Sequence, residues 1–392
     1  KIWAQAASSS IATPWRQISF FNRSVVSELF MPSILTARDP LDLRMRLRFL
    51  CSQYADDAAF ATQAVRDKVE ALRTAGVTEE QLQAAQEEVA ERTRCGAANQ
   101  QMLADLFGAA EFTRSESLTQ RASGGGGAAF YDDAGQVFRG LARDWTEAGA
   151  AALAQSIEPM LQRLQDLDLK EEDRVLVPGC GLGRLAFEIA AKFGSSVVAN
   201  DESSAMLAAM AGLLQKERVA FFPALCAASP GLGDTQERCA LAQAEVPESL
   251  RVAAELVSLQ HCDFTSAAPE DETYQAVVSL FVLDCVASLP AAIAAIARVL
   301  NPGGMWVNFG PLRKHRERVA FNFKDIATLA GANGLVVTED TRFPNCEYVT
   351  REVALGTREI YDVQLLVARK PDSQPREGPV QGSGPSTGKD AC

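Results

Sequence analysis

The chain has 392 residues, a near-average share of apolar and charged side chains and a formal net charge of -12. That length can bury a large core, in one large or two modest domains, and the acidity argues against a nucleic-acid scaffold. No apolar run approaches the ~20 residues that span a bilayer. The nine cysteines form no C-x-x-C pair and there are only two histidines, so neither a structural zinc site nor any other metal is expected. Scattered thiols fit a reducing compartment, and the expected location is the cytoplasm, or cytoplasm and nucleus.

Residues 1–40 show little periodicity and carry Pro14, Pro32 and Pro40; they stay unassigned. From Leu41 the pattern turns helical. Thr78 reads as the cap of a helix over 79–93, and 96–107 reads as another. Together, 41–111 is expected to form an antiparallel helical module that extends to about residue 165. Residues 122–129 (ASGGGGAA) read as a flexible linker. Val137, Phe138, Leu141 and Trp145 then recur at helical spacing. Arg143 on that helix can bind the carboxylate of a ligand with its two-pronged guanidinium, or pair with Asp144 on a solvated face; spacing alone favours the pair.

Residues 173–201 organise the rest. Val175–Val177 reads as a short buried strand, and Gly179, Gly181 and Gly183 follow in alternation. A helical run through Phe193 comes next, stopped by Gly194, and then a second strand at Val197–Ala199 that ends at Asp201. Strand, glycine turn, helix, strand, acid is the first half of a nucleotide-binding unit of Rossmann type. The acid can accept from both ribose hydroxyls. The third glycine stands one residue earlier than in a dinucleotide fingerprint. That spacing resembles many S-adenosylmethionine methyltransferases, which have no pyrophosphate to hold.

Ala205–Leu214 reads as a helix and 216–258 as a long insertion. Asp263-Phe264 follows a short apolar run, where such folds hold adenine between a carboxylate and an aromatic face. Residues 276–284 read as a central strand ended by Asp284, which would face the ligand crevice. A helix over 289–300, a turn at Asn301–Gly304 and a strand at 305–309 come next. His315 stands past that strand on the same rim, although a lone histidine is commonly exposed or satisfied elsewhere. Phe323–Leu329 reads as a helix. Leu335–Glu339 and Tyr361–Arg369 read as a closing antiparallel pair, and 371–392 as a disordered tail.

The segments VLVPGCGLGRLAFEIA, ANDESSAML, CDF, FVLD, LNPGGMWVNFGPLRKH and YDVQLLVARKP resemble, in order, the carnosine N-methyltransferase family. With the upstream FRGLARDWTEAG, the likeness covers roughly 95–371. It implies an α/β, Rossmann-like fold with a seven-stranded, mostly parallel sheet over 166–370 and an N-terminal helical module. It implies S-adenosylmethionine as cofactor, held by Arg143, Gly179, Gly181, Asp201, Asp263 and Phe264, with Gly183 completing the turn. It puts a substrate imidazole against Asp284, with His315 and Tyr361 nearby. The implied partner is a small histidine dipeptide, and a homodimer is expected from the likeness. Gly140, Glu202, Glu359 and Ile360 depart from animal members. A methyltransferase of another acceptor, such as a protein histidine, and a non-catalytic binder of S-adenosylmethionine remain alternatives.

Overall fold

The computed structural model describes residues 35–114, 133–226, 239–267, 272–313, 319–349 and 358–372. The expected linker at 122–129, His315 and all but the first two residues of the expected tail lie outside them.

Strand β1 (Leu35–Ala37) leads into the long helices α1 (Pro40–Thr74) and α2 (Glu79–Ala109), followed by β2 (Phe112–Arg114). Asp39 starts α1 by accepting the Leu41 N–H at 3.1 Å, with Pro40 at the first position, where no N–H is needed. Thr78 and Gln81 form a reciprocal capping box that starts α2. The expected helices over 79–93 and 96–107 are one helix. Gly96 does not break it; a Cβ there would stand 3.4 Å from Ala58, so the glycine sits where α2 comes close to α1.

Helices α3 (Ala134–Trp145) and α4 (Ala150–Leu164) precede the nucleotide-binding half: β3 (Arg174–Pro178), α5 (Arg184–Phe193), β4 (Ser196–Asp201) and α6 (Ser204–Leu214). A small antiparallel pair, β5 (Val219–Phe221) and β6 (Ala242–Ala244), lies within the insertion. Then come β7 (Val257–His261), β8 (Tyr274–Leu280), α7 (Leu289–Val299), β9 (Leu300–Gly310), α8 (Phe323–Ala332), β10 (Val336–Val349) and β11 (Glu359–Arg369).

The main sheet runs β10-β11-β9-β8-β3-β4-β7-β1-β2, and β11 alone runs opposite to the other strands. Among the described residues the expected seven strands are therefore nine. The two extra ones, β1 and β2, extend the β7 edge and bracket the α1–α2 hairpin. Each is three residues long, too short to show a period of two. The strand expected over 276–284 ends at Leu280. The expected turn at 301–304 is absorbed as a bulge, where pairing jumps from Tyr274–Leu300 to Ala276–Met305.

One apolar cluster fills the sheet face under α1 to α6, from Leu47 and Leu106 to Val177 and Val307; a second lies under α7 and α8 around Trp306. Helix α6 packs so tightly on α2 that a Cβ at Gly212 would come within 2.1 Å of the Leu106 carbonyl oxygen. Buried Asn99 ties α2 to the chain after β5. Its carboxamide donates to Tyr54 Oη at 2.9 Å and to the Phe222 carbonyl at 3.0 Å, and accepts the Phe222 N–H at 2.8 Å.

Candidate active site

The strand order reverses between β3 and β8, and at such a switch point the loops on either side part to leave a crevice at the carboxyl ends of the strands. Here it holds about 770 Å³, open mouth included, with Gly179, Asp201, Asp263, Phe264, Phe281 and Val282 among its walls.

The glycine turn forms its floor. Gly179, Gly181 and Gly183 have φ of 59°, 56° and 75°, a region that disfavours side chains with a Cβ. A Cβ on Gly179 would strike Val282 at 2.7 Å, while the Cβ direction of Gly181 faces open space. Helix α3 braces the turn through Trp145 Nε1, which donates to the Leu182 carbonyl at 3.1 Å. Asp201 is fixed by two backbone N–H groups, from Gly181 at 2.7 Å and from Ser203 at 2.8 Å. Asp263 accepts the N–H and hydroxyl of Thr265 at 2.9 and 2.7 Å, which sets the turn that presents Phe264. The structure thus brings together Gly179, Asp201, Asp263 and Phe264 on one crevice, with Gly181 in its floor. Among the described residues the buried Asn200 Oδ1, on the same wall, finds no donor. Two carboxylates, an aromatic face, a floor free of Cβ atoms and an acceptor without a donor fit a nucleoside with hydroxyls and an amine.

Asp284 lies four residues past β8. Phe281 takes a left-handed conformation, φ 54°, and its N–H donates to the Phe309 carbonyl at 2.9 Å. Such strain in a bulky residue concentrates at functional sites. The chain then turns, Cys285 N–H to Val282 carbonyl at 2.9 Å, and leaves Asp284 half-buried. Burial raises its carboxyl to about 7, against the opposing pull of its own backbone, the Cys285 thiol and the Arg313 charge.

Tyr361 stands beyond this turn, its ring 6.3 Å from that of Phe281. Its hydroxyl accepts from Arg313 Nη1 at 3.1 Å and donates to Glu359 at 2.9 Å. Burial and then Glu359 push the phenol up to about 12, so at neutral pH it is a donor and not a base. Arg139 pairs with Glu359.

Arg143 forms the pair with Asp144 that its spacing favours, without the solvated face. It grips Asp144 with two nitrogens, Nη2 to Oδ2 at 2.9 Å, but the pair is buried, not solvated. Its guanidinium stacks 4.5 Å over the ring of Tyr348, which packs 4.8 Å from Phe281. Tyr348 and Phe281 were missed from the sequence. Phe281 sits in the noted FVLD run, but a left-handed φ leaves no signature there, and Tyr348 lies outside every noted motif.

A model of the family described as carnosine N-methyltransferase matches residues 128–372. Among curated proteins, carnosine N-methyltransferase unmet of Drosophila melanogaster is 27% identical over 248 residues, 59% of this chain and 54% of that protein. Carnosine N-methyltransferase of Rattus norvegicus is 26% identical over 245 residues, 58% of this chain and 60% of that protein. The chain therefore matches just over half of the length of these relatives. Similar solved structures include magnesium protoporphyrin IX methyltransferase from Synechocystis PCC 6803 with bound SAM, 17% identical, TM-score 0.39, covering 64% of this chain and 100% of that one. Another is phosphoethanolamine N-methyltransferase 2 of Haemonchus contortus with S-adenosyl-L-methionine, 17% identical, TM-score 0.35, covering 60% of each chain. The family match takes in the glycine turn, Asp201, Asp263, Asp284 and Tyr361 together, and by it this chain belongs to the carnosine N-methyltransferase family.

Proposed function

We propose that this chain transfers a methyl group from S-adenosylmethionine to an imidazole nitrogen of carnosine or a related histidine dipeptide, giving an anserine-type product. The observation that carries the reading is Asp284: a half-buried carboxylate with an ordinary range shifted to about 7, on the turn that also lends Val282 to the crevice wall. A carboxyl held near neutrality on a turn beside a cleft is matched to a partner that titrates there, and imidazole does.

When bound, S-adenosylmethionine supplies an electrophilic methyl on a positively charged sulfur. Asp201 holds the ribose hydroxyls; Asp263 and Phe264 hold the adenine by its amine and its face. Ionised Asp284 accepts the N–H of the neutral imidazole. That fixes the tautomer and leaves the other nitrogen bare for attack. As the ring gains its methyl it becomes a cation, which the same carboxylate stabilises; the N–H proton then passes to Asp284 and on to water. Tyr361 and the Arg313 guanidinium beside it offer donors to the carboxylate of the dipeptide. Phe281 and Tyr348 give the apolar wall that excludes water from the transfer.

The test is methyl transfer from labelled S-adenosylmethionine to carnosine, anserine, free histidine and a protein extract, with products resolved by mass. The proposal expects labelled carnosine and inert anserine. Label confined to protein would leave the cofactor assignment standing and overturn the dipeptide. Cofactor binding without any transfer would overturn the enzyme reading.

A further inference from the structure

A second cluster of reactive groups lies away from this crevice. Glu91 and Cys95 stand one helical turn apart on α2, and Cys239, three residues before β6, reaches them from 144 positions later in the chain. The two Sγ atoms and a Glu91 carboxylate oxygen lie within 4.8 Å of one another. Cys95 is fully buried, Cys239 and Glu91 are partly exposed, and both cysteines are free thiols.

We propose that Cys95, Cys239 and Glu91 form a binding site for one soft divalent cation of the zinc class. Two thiolates and a carboxylate are a donor set for such ions. Tetrahedral bond lengths put a sulfur and an oxygen ligand about 3.5 Å apart. The Cys95 Sγ to Glu91 Oε1 separation is 3.6 Å, so one edge of the tetrahedron already stands at ligand spacing. The Cys239 thiol, within 4.8 Å of both, needs a shift of at most about 1 Å to complete the face. Water takes the fourth position, because Glu91 and Cys239 are reached by solvent.

Charge closes as well. Binding displaces one proton from each thiol, so the ligands carry three negative charges against two on the cation. The Arg94 guanidinium donates to Glu91 Oε2 at 2.9 Å and, through Nη2, to Glu91 Oε1 at 2.5 Å and Cys95 Sγ at 3.4 Å; the cation takes the place of Nη2 on that edge, and the contact to Oε2 keeps the third positive charge beside the site. A cation here clips the α1–α2 hairpin to the insertion that carries β6. The absence of any C-x-x-C pair from the sequence does not bear on a site assembled across 144 positions.

The test titrates the whole chain, held reduced with a phosphine, with Zn2+ against a chromophoric chelator, and separately with Cd2+ while following thiolate-to-metal absorption. One equivalent is expected, weakened at least about tenfold in Cys239→Ser and in Cys95→Ser. The Cd2+ band should fall by about half in either variant, since each removes one of the two thiolates. Cys346→Ser, at a buried thiol on β10, should leave both readouts unchanged. Cys239 lies outside every helix and strand, and circular dichroism checks that its variant is folded. Binding that Cys239→Ser leaves intact overturns the proposal, as does no stoichiometric uptake, or a Cys95–Cys239 disulfide that persists under the reductant in place of a metal.

Discussion

The substitution Asp284→Asn should stabilise the protein while it disables it. An ordinary aspartate carboxyl titrates near 3.8, and burial in the turn after β8 moves Asp284 to about 7. This is the reverse of the common carboxylate case, so the sign matters. Below about pH 4 both folded and unfolded chains hold the proton, and Asp284 costs nothing. Between about 4 and 7 the unfolded chain ionises and the folded one resists, so stability falls as pH rises; above about 7 the loss is constant. A shift of about three units sets a ceiling of about 4 kcal/mol, and relaxation with water entry leaves about 1–3 kcal/mol for a half-buried group. Asparagine matches the protonated form in shape and carries no charge at any pH. Urea unfolding of both proteins should therefore agree at about pH 4 and separate by that amount at about pH 8. Turnover should fall about 10²–10⁴-fold, and the rise of wild-type activity with pH through about 7 should vanish. A variant no more stable than wild type at high pH, or equally stabilised at both pH values, refutes the burial argument; unchanged turnover refutes the role.

Three further substitutions probe what holds the site. Gly310→Ala puts a Cβ 3.1 Å from both Cα and N of Phe281; thermal unfolding should show a loss of about 1–3 kcal/mol, and turnover should drop because Phe281 leads into the turn bearing Asp284. Gly212→Ala drives a Cβ to 2.1 Å from the Leu106 carbonyl; it should destabilise by about 2 kcal/mol or more, yet calorimetry on the folded fraction should find cofactor affinity unchanged. Asp144→Asn leaves the Arg143 charge buried without its partner; a loss of about 3 kcal/mol is expected in chemical denaturation, with weaker cofactor binding, and a stability equal to wild type would show the pair to be dispensable.

The half of the fold that could be read from the sequence is the half with a period. Val175–Val177, the three glycines, the helix through Phe193 and Asp201 each follow from a local rule, and they stand where those rules put them. The closing antiparallel pair was expected as part of such a fold and is present, but β10 runs on to Val349, past the expected end at Glu339. What escaped has no local rule. Strands β1 and β2 are three residues each and exist because the β7 edge offers backbone groups to pair with. Helix α2 runs through Cys95-Gly96 because Gly96 meets α1, and packing of that kind overrides helix propensity.

The site divides along the same line. Its nucleoside side is built from backbone turns that glycine and aspartate spell out. Its acceptor side is built by tertiary contact, and each part depends on a residue far away in sequence. Phe281 holds a left-handed backbone because Gly310, on β9, leaves room for its main chain and Phe309 takes its N–H. That conformation ends β8 early and swings Asp284 out of the strand into the turn, where burial shifts its proton affinity. Tyr348 and Tyr361 arrive from the two strands of the closing hairpin to pack around Phe281. A strand ending in Asp284 was the natural reading of an unbroken apolar run, yet a strand end would give the carboxylate a fixed alternating direction. The turn instead frees it from that alternation, so the strain at Phe281 and the placement of the carboxylate are one feature of the fold.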